Sequence, residues 1–351
     1  MVWAGLGCSG EGNVVADRDG PDHGIWALAD LVTPMAMRVA ATLRVADHIT
    51  QGLRTASALA EVAHVDTDTL DRLLRHLVTA GVLDLDESGG YTLTDRGESL
   101  RDDHPSGMQA LLDIDGAIGR ADLSFVGLLH SVRTGEAAFP VQFGRPFWDD
   151  LGSDPRRTAS FEAQMGTDVA AWAPPVVAAF DWGSLGHVID VGGGNATLLM
   201  AMLRAYPTLR GTVFDQSGTA EAARAALAAA GLADRGEVIS GSFFDPLPSG
   251  AGGYVLSAIL HDWDDESAKT ILRGCAEAAG PGGRVFVVEK TGADGASPST
   301  EMDLRMLVYF GGRERGVAEL TSLAADSGLG VVAVHPVGDL SVVELREAIR
   351  D

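Results

Sequence analysis

Apolar residues recur at helical spacing through the first third of the chain. Over residues 24–49, GIWALADLVTPMAMRVAATLRVADHI, Leu, Met, Val and Ala return every three or four positions, interrupted by Pro34. That pattern predicts two apolar helices. TASALAEVA predicts a short helix and DTDTLDRLLRHLVTAGVL a longer one, opened by Asp66 or Thr67 and closed near Gly81. DLDESGGYTLTDRGESL then forms a hairpin turning at Ser88, Gly89 and Gly90. Helices followed by a hairpin in this order describe a winged helix. Residues 105–175 continue as helices around TGEAAFPVQFGRPFWDDLGSDP, a Gly-, Pro- and aromatic-rich loop suited to roofing a pocket. After Pro174 and Pro175 the texture changes. Seven apolar runs of strand length, HVIDV, GTVFD, GEVISG, YVLSAIL, GRVFVVEK, GVVAVHP and LSVVELR, are for the most part separated by helical segments. The expected fold is therefore α/β: a Rossmann-like, doubly wound, seven-stranded sheet whose last two runs make an antiparallel edge hairpin, preceded by a mainly helical winged-helix domain.

Length and charge refine this picture. A chain of 351 residues exceeds one typical domain. We expect a loose tail at 1–21, a helical and winged-helix domain at 22–104, a helical linker contributing to a pocket at 105–175, and the sheet domain at 176–347. A winged helix raises the question of DNA, but residues 43–103 hold six Arg and no Lys against twelve Asp and Glu. Phosphate contacts need clustered cations, and the whole chain carries −23. Neither nucleic acid nor an anionic membrane surface is expected as a partner. No apolar stretch reaches the ~18 residues that span a bilayer, and MVWAGLGCSGEG lacks the basic start of a secretory signal. Cys8 and Cys275 lie far apart without Cys/His ligand spacing, so we expect a reducing cytoplasm, no disulfide framework and no metal.

HVIDVGGGNATLL, residues 187–199, places a glycine turn after the first strand of the sheet, where doubly wound folds bind ligands. A P-loop requires a Lys that this turn lacks, and a dinucleotide turn requires a third glycine where Thr197 stands. S-adenosylmethionine is the third choice. Asp190 suits it, because the ammonium of its amino-acid end needs a nearby acceptor, whereas a pyrophosphate there would be repelled. Asp215, closing the second strand, is placed to accept from ribose hydroxyls, which NAD would also want. YVLSAILHDWDDE, residues 254–266, ends a buried strand with His261, Asp262 and Trp263 facing the same cleft. With an unperturbed pKa of ~6.5 against ~10 for a phenol, His261 is a workable base if a carboxylate stabilises the imidazolium. Glu289, an odd closing residue for an apolar strand, and Glu314 in FGGRERG are the candidates.

VIDVGGGNATLL, GTVFDQ, GSFFDPLP, LSAILHDWDDESAKTIL, VVEK and MDLRMLVYFGGRERG together resemble the class I S-adenosylmethionine-dependent small-molecule O-methyltransferases, over about residues 22–347. Within that family the chain most resembles actinobacterial enzymes of aromatic polyketide pathways, naphthoate O-methyltransferases among them. The resemblance implies a homodimer through the N-terminal domain, a small aromatic substrate and no metal. It implies His261 as the base, flanked by Glu289 and Glu314. It places Gly192, Gly194 and Ser257 at the methionine end of the cofactor, Asp215 at the ribose, and Phe243 and Trp263 at the adenine, with Asp190, Gln216, Ser242 and Asp262 as further cofactor-binding residues. Phe161, Met165, Met306, Tyr309 and Phe310 match substrate-lining positions.

The chain departs from the family pattern at three places. Ser242 stands where many relatives carry Asp, Ser257 where plant members have Lys, and Ala196 where the last glycine of the turn mainly permits close packing. A methyl at Ala196 is expected to perturb the turn slightly. Arg305 and Arg313 are candidates to anchor a free substrate carboxylate, with ion pairs as the alternative role. The implied activity is O-methylation of a phenolic hydroxyl on a polyketide-derived aromatic acid, free or carrier-bound. The alternatives are a non-methylating relative, hydroxylase or decarboxylase, on the same scaffold, and a winged-helix regulator sensing a small molecule.

Overall fold

The computed structural model describes residues 21–348. Apart from Pro21, the expected tail lies outside them, as does Cys8. The chain divides into two units, 1–101 and 102–351, so the segment 105–175 falls within the second.

The first unit holds helices Pro21–Ala29, Val32–Thr42, Val45–Thr50, Ala56–Ala63 and Thr67–Thr79, followed by strands β1 (Leu83–Leu85) and β2 (Tyr91–Leu93), paired antiparallel. Three helices thus stand where two were expected. The first break falls at Asp30, whose carboxylate accepts the Val32 N–H at 3.0 Å and starts a new helix. Pro34 sits in that helix's first turn, where no N–H is required. The second break is at Arg44, which turns the chain left-handed at φ 53°. Asp66 caps Thr67–Thr79 by accepting the Thr69 N–H at 2.9 Å. Leu70, Leu74 and Leu77 are buried along one face of that helix, each contributing about 1.5–3 kcal/mol by removal from water. Tyr91 Oη donates to Asp71 at 2.7 Å and ties the hairpin to the helix.

The second unit is built on β3 (His187–Val191), β4 (Arg210–Asp215), β5 (Gly236–Ser240), β6 (Gly253–Ser257), β7 (Arg284–Lys290), β8 (Leu329–Val337) and β9 (Leu340–Glu347). Their order is β5-β4-β3-β6-β7-β9-β8, with β9 antiparallel to both neighbours and the other pairings parallel. Helices cover both faces, so the central strands are apolar throughout rather than alternating. In β3, Val188 joins one core cluster while Ile189 and Val191 join the other. The chain leaves β3 toward β4 on one side and later returns to β6 on the other, which opens a crevice at the carboxyl ends of these strands. Two buried acids interrupt the apolar runs near those ends, Asp190 in β3 and Glu289 in β7.

Two expectations are corrected here. The prolines at 174 and 175 do not end the helical segment; they lie inside the helix Pro155–Ala178. The carbonyls they leave without donors belong to Ala170 and Ala171, which are exposed, while Ala173, Val176 and Val177 are buried in the core. The loop at 134–155 contains two short helices, Phe139–Phe143 and Phe147–Gly152.

Candidate active site

The glycine turn connects β3 to the helix Thr197–Ala205. Gly192 takes φ 73°, where a side chain is strained, and lies so close to Ile259 that a Cβ there would displace the isoleucine side chain. The Gly194 N–H donates to Asp215 Oδ2 at 3.0 Å and the Gln216 N–H to Asp215 Oδ1 at 2.6 Å, so Asp215 is oriented by backbone from both sides. Asp190 is different. It is 2% exposed, its carboxylate lies beneath Gly193, and neither oxygen has a hydrogen-bond partner. Burial, with the charge of Asp215 added, pushes Asp190 up to about 7. An unpaired buried carboxylate is costly unless a donor or cation reaches it. The Ser257 hydroxyl, at the end of β6, is likewise buried without a partner. These orphaned groups fit the cationic amino-acid end of S-adenosylmethionine.

Ala196 corrects an expectation about cause. It is fully buried and adopts φ 69°, the left-handed conformation, as the residue preceding the helix. The missing glycine is therefore felt in the backbone, at about 1–2 kcal/mol for a residue with a Cβ, more than in packing.

β6 ends at Ser257, four residues short of His261, not at the histidine. Ala258 turns left-handed at φ 53°, and a short 3-10 turn, Leu260–Asp262, carries the imidazole. Glu289 explains itself here. Its Oε1 accepts the N–H groups of Ile259, at 3.2 Å, and Leu260, at 2.8 Å, so the acid at the end of β7 holds the turn. Its other oxygen lies 3.3 Å from His261 Nδ1, and Glu314 Oε1 lies 3.3 Å from the same nitrogen. Asp262 Oδ1 is 3.4 Å from Nε2. Burial by itself would push the imidazole down; the charges of Glu289, Asp262 and Glu314 override it and raise His261 to about 10. Burial likewise raises Asp262, to about 7, and Glu289, against the opposing pull of His261.

The GGRERG loop closes over the same turn. The Arg313 N–H donates to the His261 carbonyl at 2.8 Å, and Gly312 rests against that carbonyl with no space for a Cβ. Arg315, 3% exposed, donates to Leu260 O at 2.7 Å and Trp263 O at 2.8 Å while pairing with Asp265 at 2.8 Å. Sequence reasoning missed this residue, although it lies in the same motif as Glu314.

On the adenine side, Phe243 and Trp263 meet edge to face at 5.7 Å, and Phe243 flanks Gly192. Ser242 Oγ accepts the Phe244 N–H at 3.3 Å, and the Gln216 side chain is exposed. Asp262 and Trp263 also line a cavity of about 300 Å³ shared with Phe147, Trp148, Tyr309 and Phe310. The Trp148 indole N–H is buried without a partner. Phe161 stacks edge-on against Phe147 and Trp148 behind this wall, and Met306 is buried in the same cluster. Neither lines the cavity, and nor does the half-buried Met165. Tyr309 Oη donates to Asp122, which, after burial, raises the phenol. Arg305 pairs with Asp122 and Glu301, and Arg313 with Glu319 and Asp265, so both serve as ion-pair partners.

Glu162, unassigned from sequence, approaches the turn from the long helix Pro155–Ala178. Its Oε2 lies 3.7 Å from where a Cβ on Gly194 would sit. Burial and the charge of Asp215 raise it to about 7.

Residues 125–330 match the family model of the O-methyltransferase domain, and residues 26–103 that of the O-methyltransferase dimerisation domain. The chain is 56% identical over 322 residues to a 2,7-dihydroxy-5-methyl-1-naphthoate 7-O-methyltransferase of Streptomyces carzinostaticus, covering 92% of this chain and 97% of that one. It is 44% identical over 329 residues to the aclacinomycin 10-hydroxylase RdmB of Streptomyces purpurascens, covering 90% and 88%. The solved O-methyltransferase NcsB1 of neocarzinostatin biosynthesis, in complex with S-adenosylmethionine and 2-hydroxy-5-methyl naphthoic acid, superposes with a TM-score of 0.88 at 56% identity. That match covers 93% of this chain and 99% of that one.

Proposed function

We propose, on the premise that this chain belongs to the O-methyltransferase family, that it transfers the methyl group of S-adenosylmethionine to a phenolic hydroxyl of a polyketide-derived aromatic acid, naphthoate or benzoate in type, in natural-product biosynthesis. The observation that carries this reading is the histidine held between acids: His261 Nδ1 faces Glu289 and Glu314 at 3.3 Å each, beside an aromatic-walled cavity. Asp190, Gly192, Gly194 and Ser257 would hold the cofactor's methionine end, Asp215 with Gln216 its ribose, and Ser242, Phe243 and Trp263 its adenine. Bound there, S-adenosylmethionine supplies an electrophilic methyl group on a sulfonium.

His261 removes the hydroxyl proton through Nε2, because Nδ1 faces the two glutamates, which hold a positive charge on that side of the ring. Glu289 holds the backbone of the turn with one oxygen and faces the imidazole with the other. A base raised toward the phenol range, ~10, takes the proton with little energetic mismatch. Asp262 faces the same edge of the ring and stabilises the charge formed there. Arg315 fixes the turn by its carbonyls, and Phe147, Trp148 and Phe310 exclude water and fix the plane of the ring. Positioning of this kind carries much of the rate in a bimolecular displacement.

We assign residues 22–104 to pairing two copies of the chain, which the exposed Ile25, Trp26 and Leu28 of the first helix support. Residues 105–175 are assigned to the substrate pocket and 176–347 to the cofactor and base. The acidic winged helix argues against nucleic acid. A cytoplasmic location suits the unpaired, buried Cys275.

The test is incubation with S-adenosylmethionine and a panel of hydroxybenzoates, hydroxynaphthoates and their amides, read by S-adenosylhomocysteine formation and product mass. Gain of a methyl group by a hydroxynaphthoate is expected. The 10-hydroxylase relative favours a second reading on the same scaffold; gain of an oxygen without methylation would establish that one instead.

A further inference from the structure

Three carboxylates converge on the glycine turn: Asp190 from β3, Asp215 from the end of β4 and Glu162 from the long helix. Among the described residues, the only charged group acting on Glu162 is Asp215, and the only one acting on Asp190 is again Asp215. No lysine, arginine or histidine of the described residues neutralises any of the three. Among the described residues, no group of His, Cys, Asp and Glu is arranged to hold a metal ion.

The long helix is seated firmly on the turn. Asn195 Nδ2 donates to the Glu162 carbonyl at 3.3 Å, and a Cβ on Gly166 would stand 2.5 Å from the same nitrogen. The backbone of Glu162 is thereby fixed while its half-buried carboxylate stays reachable beside Gly194. Asp190, both oxygens buried and unpartnered beneath Gly193, points independently to a ligand at this place.

The three acids differ in what they need. Asp215 has both oxygens oriented by the Gly194 and Gln216 amides, and one such acid suffices for a neutral diol. A second acid beside it gains nothing from a neutral hydroxyl, because the repulsion between the two carboxylates remains. A positive charge relieves it.

We infer that Glu162 is a cofactor-binding residue whose carboxylate receives the ammonium of the amino-acid end of S-adenosylmethionine. This rests on the methyl-donor reading of the turn and adds to it the helix that completes the site.

Calorimetric titration of wild type and Glu162→Gln with two ligands tests it: S-adenosylhomocysteine, which has the ammonium, and 5′-methylthioadenosine, which keeps the nucleoside and lacks the amino-acid end. Loss of one charge-assisted hydrogen bond predicts about 10- to 100-fold weaker S-adenosylhomocysteine binding, with methylthioadenosine within about twofold of wild type. Glu162→Asp, which keeps the charge on a shorter arm, should retain more affinity than Glu162→Gln, and thermal melting checks that both fold. Unchanged S-adenosylhomocysteine affinity in Glu162→Gln overturns the inference. So does an equal loss for both ligands, which would assign Glu162 to the ribose or to the turn itself. Failure of the wild type to bind either ligand would instead remove the methyl-donor reading.

Discussion

Two sets of three carboxylates lie at the carboxyl ends of the central strands, and they differ in one respect. Around the base, Glu289, Glu314 and Asp262 enclose a histidine that the chain supplies. Around the glycine turn, Asp190, Asp215 and Glu162 enclose no cation from the described residues. The first set faces one positive charge from within, an imidazolium among three acids, and is arranged to move a proton. The second carries unrelieved charge and is arranged to receive a cation from a ligand. Burial alone does not distinguish them, since burial raises Asp190 and Asp262 alike, to about 7. The neighbour makes the difference.

The sharpest way to break the comparison is to remove the enclosed cation. His261→Ala should lower the methyl-transfer rate by about 10²- to 10⁴-fold, the usual share of a positioned general base, in single-turnover kinetics.

Asp190→Asn acts on the other set. It should weaken S-adenosylhomocysteine binding about tenfold while stabilising the ligand-free protein by about 1–3 kcal/mol, because an unpaired buried charge is gone. The sign can be followed with pH. The folded-state value of Asp190, about 7, lies above the unfolded value of about 3.9. Ionisation of the unfolded chain therefore costs the wild type stability as pH rises between these values, and the cost levels off above the upper one. The advantage of Asp190→Asn in denaturant melts should widen over that window; a constant gap would show that Asp190 is already compensated.

Glu314→Gln is a smaller change to the first set. His261 serves as base only when neutral, and its raised value makes kcat/KM climb with pH on the acid limb. Removing a negative charge 3.3 Å from Nδ1 lowers that value. The limb of the pH profile should move to lower pH, with a rate loss of about tenfold. A limb that stays in place would assign it to another group.

Ala196→Gly should have the smallest effect. Relief of about 1–2 kcal/mol of left-handed strain is offset by losing a buried methyl of about 0.8 kcal/mol, leaving melting and cofactor affinity nearly unchanged.

Much of this was legible in the order of residues. The seven strands, the glycine turn, Asp215 and the His261, Glu289 and Glu314 constellation all sit in local patterns with a chemical reason. The parts that were not legible depend on contacts between distant segments. Nothing near Glu162 signals that its helix lies on a turn some thirty residues later; the signal is Asn195 meeting its carbonyl across the fold. Arg315 reads as a surface charge until the carbonyls of Leu260 and Trp263 are seen to converge on it. The apolar run YVLSAIL concealed the end of β6, because the left-handed Ala258 is imposed by the Glu289 clamp and the loop above, not by its own preference. Pro174 and Pro175 suggested an ending that two buried valines beyond them override.

The division of labour between the two sets is tested most directly by titrating S-adenosylhomocysteine into His261→Ala and Asp190→Asn side by side. The account predicts wild-type affinity, within about twofold, for His261→Ala and a loss of about tenfold for Asp190→Asn. The reverse pattern, with affinity lost in His261→Ala and kept in Asp190→Asn, would contradict it.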